Sequence, residues 1–223
     1  MITVHHLNNS RSQRVLWLLE ELGVPYEIKK YQRDAKTMLA PPELKRVHPL
    51  GKSPVITEGG NTVAESGAIV DYLVDRHGNG RLAPAAGTPE RLRYNYWLHY
   101  AEGSAMLPLL LKLIFGRVET APAPFFIRPI IKGIVKQVSH GFIDPQLKLH
   151  LDYIESELGK SEWFVGSQFS AADIQMSFPL EAASVRGGPD LGRPKSKAFL
   201  EKIHARPAYQ RALEKGGQYE LMR

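Results

Sequence analysis

The sequence holds no cysteine in 223 residues. Disulfides, thiolate metal sites and a sulfur nucleophile carried by the protein itself are therefore excluded. Long apolar runs are missing as well. The stretch 106–111 is ended by Lys112 and falls far short of the roughly 20 residues that span a bilayer. Residues 1–7 carry neither a basic segment nor a long apolar core, and residues 8–14 are polar. The expectation is a cytoplasmic protein without membrane association. Blocks of lysine and arginine are absent too. The 29 basic residues outnumber the 23 acidic ones, giving a formal charge of +6 and a pI near 9.4, but they are dispersed along the chain. Dispersion argues against a nucleic-acid partner. An acidic small molecule drawn to a basic cleft fits the same charge. No internal repeat or low-complexity tract interrupts the chain.

What is present is an ordinary globular composition, 43% hydrophobic and 23% charged, in a chain long enough for two domains. Residues 2–7 have the β-branched content of a short strand. After the polar break Asn8-Asn9-Ser10, the residues Val15, Leu18, Leu19 and Leu22 recur at helical spacing, and Gly23 and Pro25 supply the stop. Tyr26-Glu27-Ile28 opens a second strand, which makes a βαβ unit and implies a parallel pair. Polar, helix-forming residues through Lys45 lead into the loop His48 to Pro54. Then 55–57 and 62–64 flank Glu58-Gly59-Gly60-Asn61 as a hairpin, and Ser66 sits as the N-cap of a helix to about residue 77. Beyond the punctuation around Pro84 and Pro89, helical periodicity takes over at 92–113, 146–158, 171–184 and 196–215. Ala121-Pro122-Ala123-Pro124 breaks the bundle and 127–138 resumes it. The expected fold class is α/β plus all-α: residues 1–80, a linker at 81–89, and a helical domain over 90–223.

Four motifs in order give this chain a resemblance to the glutathione transferases. They are Ser10-x-x-x-Arg14 followed by Leu16-Trp17-Leu18-Leu19-Glu20-Glu21-Leu22-Gly23; Lys52-Ser53-Pro54-Val55; Ala64-Glu65-Ser66-Gly67-Ala68-Ile69; and Ser170-Ala171-Ala172-Asp173-Ile174. The run Arg33-Asp34-Ala35, then 40–45 and His48-Pro49-Leu50-Gly51, resembles the branch of fungal enzymes and their bacterial relatives. The resemblance covers nearly the whole chain. It implies a thioredoxin-like N-terminal domain that binds glutathione as co-substrate, with no metal, and a helical domain that adds the pocket for an electrophilic small molecule.

Residue by residue, the resemblance implies a thiolate donor at Ser10, whose hydroxyl would hold the glutathione sulfur as an anion at the positive end of the first helix. Read from spacing, Ser10 with Gln13 is also a capping box, and Ser12 in the same turn is an alternative donor. His5 and His6 alternate on a strand, so one at most faces a site, and both read as structural. Pro54 is implied to be cis, with the Ser53 backbone pairing with the cysteinyl backbone of glutathione and Lys52 suiting a carboxylate. Ser66 at a helix start and Glu65 before it would take the γ-glutamyl carboxylate and ammonium. Ser170 and Asp173 belong to folding, as a buried capping motif.

The wall for the second substrate is expected along the first long helix of the helical half, where Tyr96, Trp97, Tyr100, Met106 and Phe115 are available; helical aromatics are more often core. Residues 125–138, with Arg128, Lys132 and Lys136 among apolar neighbours, read as a packed helix with one solvated face. Conjugation by thiolate attack is the leading function. Hydroperoxide reduction by bound glutathione and a non-catalytic binding module are the alternatives. The family implies a homodimer, with 91–97 a candidate contact.

Overall fold

The computed structural model describes residues 1–186, 193–217, 219 and 220. Strands β1 (Ile2–Leu7), β2 (Tyr26–Tyr31), β3 (Val55–Glu58) and β4 (Asn61–Ala64) form one sheet in the order β2-β1-β3-β4. The β1–β2 pair is parallel, with Ile2 opposite Tyr26, because helix α1 (Ser12–Leu22) carries the chain back between them. Both β1–β3 and β3–β4 are antiparallel, the latter closed by the hairpin read from Gly59-Gly60. Alternation along β1 sends Ile2 and Val4 into the main core with Val15, Leu16, Leu18 and Leu19 of α1. Leu7, from the other face, packs with Tyr31 and Leu44. Helix α2 (Ser66–His77) adds Ile69, Val70 and Leu73 to the main core.

The second half is helical: α3 (Pro89–Tyr100), α4 (Met106–Thr120), α5 (Arg128–Val138), α6 (Asp144–Lys160), α7 (Ala171–Arg186), α8 (Pro194–His204) and α9 (Pro207–Gly216). None of the described helices is long and apolar enough to cross a membrane. Three expectations change. The helix expected over 92–113 runs as α3 and α4, joined by one π-helical segment, Ala101–Ala105. The helix expected over 196–215 is two, because Pro207 forces Arg206 into extended backbone (φ −69°, ψ 130°). Helix α5 packs less than expected: Val135 is its buried residue, while Ile130 and Ile134 stay exposed.

Helix α9 returns to the first domain and lies against α1. Arg206 clasps Glu21 with two bonds of 2.5 and 2.9 Å, and Arg211 and Lys215 both pair with Glu20. Tyr209 and Tyr219 donate to Glu181 on α7 at 2.6 and 2.7 Å. At the start of α7, Asp173 accepts from the Ser170 backbone N–H and hydroxyl and from the Phe164 N–H, at 2.8 to 3.0 Å, all out of contact with water. The carboxylate thus anchors a loop and a helix start together.

Asp173→Ala leaves three buried donors without an acceptor, each costing about 1–3 kcal/mol. Chemical denaturation should report a loss of at least about 3 kcal/mol. A loss below about 1 kcal/mol would show that the Asp173 bonds are not structural.

Candidate functional site

A groove of about 370 Å³ opens where the start of α1, the loop before β3, the start of α2 and the π-helical segment Ala101–Ala105 converge. Its lining includes Lys52, Ser53, Pro54, Glu65 and Ser66, so the structure brings five of the six residues singled out from the sequence into one place. The Ser53–Pro54 peptide bond is cis. The Ser53 hydroxyl donates to the His5 carbonyl at 2.9 Å, which ties this loop to β1. Glu65 sits at φ 72°, ψ 126°, a conformation that L residues adopt at a cost of about 1–3 kcal/mol. The strained residue directly precedes the first turn of α2, and no side chain caps that turn. The helix start therefore keeps backbone donors and the positive end of its dipole for an anion in the groove.

Ser10 is the exception. It is buried and is not part of the lining. Its oxygen accepts the Ser12 N–H at 3.2 Å and lies 2.7 Å from the Ser12 hydroxyl. Ser12 in turn is 2.8 Å from Nδ1 of His6. The capping box expected with Gln13 is not formed, since α1 has Arg11 at its N-cap with no side-chain cap bond. The turn chemistry of a serine bonded to the N–H two residues on pulls the side chain back over the strand end instead. Neither Ser10 nor Ser12 presents a hydroxyl to the groove.

His5 and His6 do face opposite ways, and neither lines the groove. His5 bonds the Tyr31 hydroxyl at 3.0 Å and Thr57 at 3.2 Å. Burial, and then the Lys30 ammonium, push His6 down to about 4, against the smaller opposing effect of the Gly216 backbone. The ring is neutral and structural at physiological pH.

Two residues in the lining went unnoticed in the sequence, Arg11 and Glu102. Glu102 lies in the π-helical segment and binds Nε of Arg11 through both oxygens, at 2.8 and 3.1 Å. It also accepts from Arg14. Burial raises the Glu102 carboxyl, but Arg14 and Arg11 outweigh that and hold it below the usual carboxylate range. Arg14 is itself buried and donates to the Gln175 carbonyl at 2.5 Å and to the Ser66 hydroxyl at 3.1 Å. The side chain of Ser66 is thereby fixed from the domain's interior. Arg14 was legible as part of a motif; Glu102, 91 positions from Arg11, carried no local signal. Of the aromatic candidates for the second-substrate wall, Trp97 and Tyr100 are core, packed with Tyr153, while Tyr96 remains exposed and Phe115 half-buried. Among the described residues no cluster of His, Asp or Glu is grouped to hold a metal ion.

The mixed four-stranded sheet with its cis-proline loop, followed by a helical half that contributes to the groove, defines a two-part thioredoxin-like architecture. Residues 1–75 match the family model described as glutathione S-transferase, N-terminal domain, and residues 143–207 match the corresponding C-terminal domain. Glutathione S-transferase 3 of Schizosaccharomyces pombe is 38% identical over 96% of this chain and 88% of its own. Glutathione S-transferase 1 of Saccharomyces cerevisiae is 34% identical over 96% and 95%. A crystal structure of a glutathione S-transferase from Actinobacillus pleuropneumoniae superposes with a TM-score of 0.81 at 34% identity, covering 100% of this chain and 96% of that one. A sphingomonad glutathione S-transferase complexed with glutathione gives 0.74 at 25%, covering 96% and 98%. The chain belongs to the glutathione S-transferase family.

The depressed His6 makes stability pH-dependent in a definite direction. Unfolded chains take up a proton near pH 6.5 that the folded state refuses until about pH 4. Stability therefore falls as pH drops through this window, by up to about 3 kcal/mol. Denaturation midpoints at pH 7 and 4.5 should diverge less in His6→Gln than in the wild type; equal divergence would show that His6 does not titrate there.

Proposed function

We propose that the groove binds glutathione and that the protein activates its thiolate for attack on electrophilic small molecules, the sulfur bonding to the acceptor with the rest of glutathione attached. The convergence of Lys52, Ser53, Glu65 and Ser66 around the cis Pro54 carries this reading. The γ-glutamyl end fits the start of α2. There the Ser66 N–H and helix dipole suit its carboxylate, and the Glu65 carboxylate suits its ammonium. The cysteinyl backbone pairs with Ser53 as an added strand would, and Lys52 takes the glycyl carboxylate. The bound glutathione of the sphingomonad relative supports the same ligand here. With these anchors in place the sulfur falls beside the N-terminus of α1, where the groove wall is Arg11.

Holding thiolate and acceptor together supplies most of the rate enhancement such a site needs. The acceptor approaches from the helical half, the functional unit being residues 1–80 for glutathione, 81–89 as linker and 90–223 for the electrophile. We propose a homodimer as the working assembly; on the candidate segment 91–97, Leu92 and Tyr96 are exposed whereas Trp97 is buried.

Calorimetric titration should show glutathione binding, and turnover should appear with at least one of an aryl halide, an epoxide or a hydroperoxide panel. Absence of binding removes the reading. Glu65→Gln loses a charge-assisted bond worth about 1.5–3 kcal/mol, so KM for glutathione should rise roughly tenfold or more while kcat changes little. An unchanged KM would rule out that anchor. Light scattering should give twice the 25.0 kDa chain mass; a monomer at micromolar concentration would refute the dimer.

A further inference from the structure

We propose that Arg11, held in place by Glu102, is the residue that stabilises the glutathione thiolate. This rests on reading the groove as a glutathione site and names the chemistry of its sulfur end.

The serine hydroxyls lie behind the groove. The Ser10 and Ser12 oxygens are 2.7 Å apart, and Ser12 lies 2.8 Å from Nδ1 of His6 and 3.3 Å from the Leu7 carbonyl. Ser10, Ser12 and His6 are all buried, and none of them belongs to the groove lining. A thiolate in the groove needs a donor from the lining.

Arg11 stands in the groove wall instead. Arg11 is the N-cap residue of α1 and part of the lining. Both oxygens of Glu102 bind its Nε, and its guanidinium carbon lies 4.8 Å from the centroid of the Phe178 ring. Those two contacts fix the plane of the group. Among the described residues its two terminal nitrogens have no hydrogen-bond acceptor, which leaves up to four N–H donors on a held cation. An anion is the partner this geometry suits.

Glu102 is shared between Arg11 and Arg14, so one carboxylate faces two guanidiniums and the cluster keeps a net positive charge. Arg33 adds a further cation that interacts with Arg11. Around the groove, Lys52 and Glu65 offset one another, and His48 completes the titratable groups. The two carboxylates of glutathione have partners at Lys52 and at the start of α2. The remaining negative group that Arg11 can meet is the ionised sulfur. An opposite charge at such range lowers a pKa by about 1–3 units, enough to ionise a thiol whose free value is near 8.5.

The test is a titration of bound glutathione by thiolate ultraviolet absorbance in the wild type, Arg11→Gln, Arg11→Lys and Ser10→Ala. Affinity for S-methylglutathione, which cannot ionise at sulfur, is measured alongside. Arg11→Gln should raise the bound thiol pKa by about 1–2 units and lower kcat/KM about 10- to 100-fold at neutral pH. The lost rate should return as pH rises past the new pKa, and Arg11→Lys should recover part of the shift. S-methylglutathione should bind Arg11→Gln about as well as the wild type, which a folding defect would not allow. A thiol pKa raised in Ser10→Ala but unchanged in Arg11→Gln overturns the assignment while leaving the glutathione site intact. If the wild type binds neither glutathione nor its S-methyl form, the reading of the groove falls, and this assignment with it.

Discussion

Burial of one guanidinium organises the whole molecule. Arg14 projects from the first helix into a water-free space, and an unpaired charge there would cost several kcal/mol. The cost is met by acceptors from three other elements: the Gln175 carbonyl of α7, the Ser66 hydroxyl of α2 and the Glu102 carboxylate between α3 and α4. Each acceptor is thereby placed relative to α1, and two of them, Ser66 and Glu102, line the groove. The satisfaction is not complete, since Arg14 Nε has no partner. That residual imperfection fits a site where structural need and ligand chemistry share the same residues.

The π-helical segment carries the carboxylate of this cluster. The wider turn over Ala101–Ala105 admits an extra residue per turn. Trp97 and Tyr100 on the N-terminal side and Met106 and Leu109 on the other can then all reach the core, while Glu102 reaches the arginines. Such bulges are frequent at functional sites. Helix α9 supports the arrangement from behind. Its Gly216 lies against α1, where a Cβ would meet the side-chain ends of Gln13 and Leu16 and make them shift.

Much of this could be read before any coordinates. The βαβ-ββα order, the hairpin at Gly59-Gly60 and the Ser170–Asp173 cap are local patterns whose physics lies within a few residues, and the sequence carries them openly. What stayed hidden is long-range. Nothing near Glu102 announces a partner 91 positions away, and an aromatic such as Tyr96 or Trp97 does not declare which side of its helix will be buried. Ser10 is the instructive case, because its spacing fitted two roles and the structure shows a third. The hydroxyl turned inward once Ser12 and His6 offered a continuous set of partners, a choice decided by the strand face on which His6 sits. The division of 196–215 was legible and unread, since Pro207 stood in plain view.

The missing cysteines give the site its character. A protein thiol at the end of β1 would act as a nucleophile and would need only modest help to ionise. This chain supplies no thiol, so on the proposed reading the reactive sulfur arrives with the ligand, and the protein's part is to hold charge still. Mobile surface lysines serve that purpose poorly, because ordering them costs side-chain entropy at the moment of binding. A guanidinium already clamped by a carboxylate and laid against an aromatic ring has met that cost during folding. The clamp has to be buried on one side to be rigid and open on the other to be useful. Arg11, half-buried on the groove wall with its Nε bound and its outer nitrogens free of protein acceptors among the described residues, satisfies both conditions. Arg14, fully buried behind it, anchors the carboxylate that makes this possible.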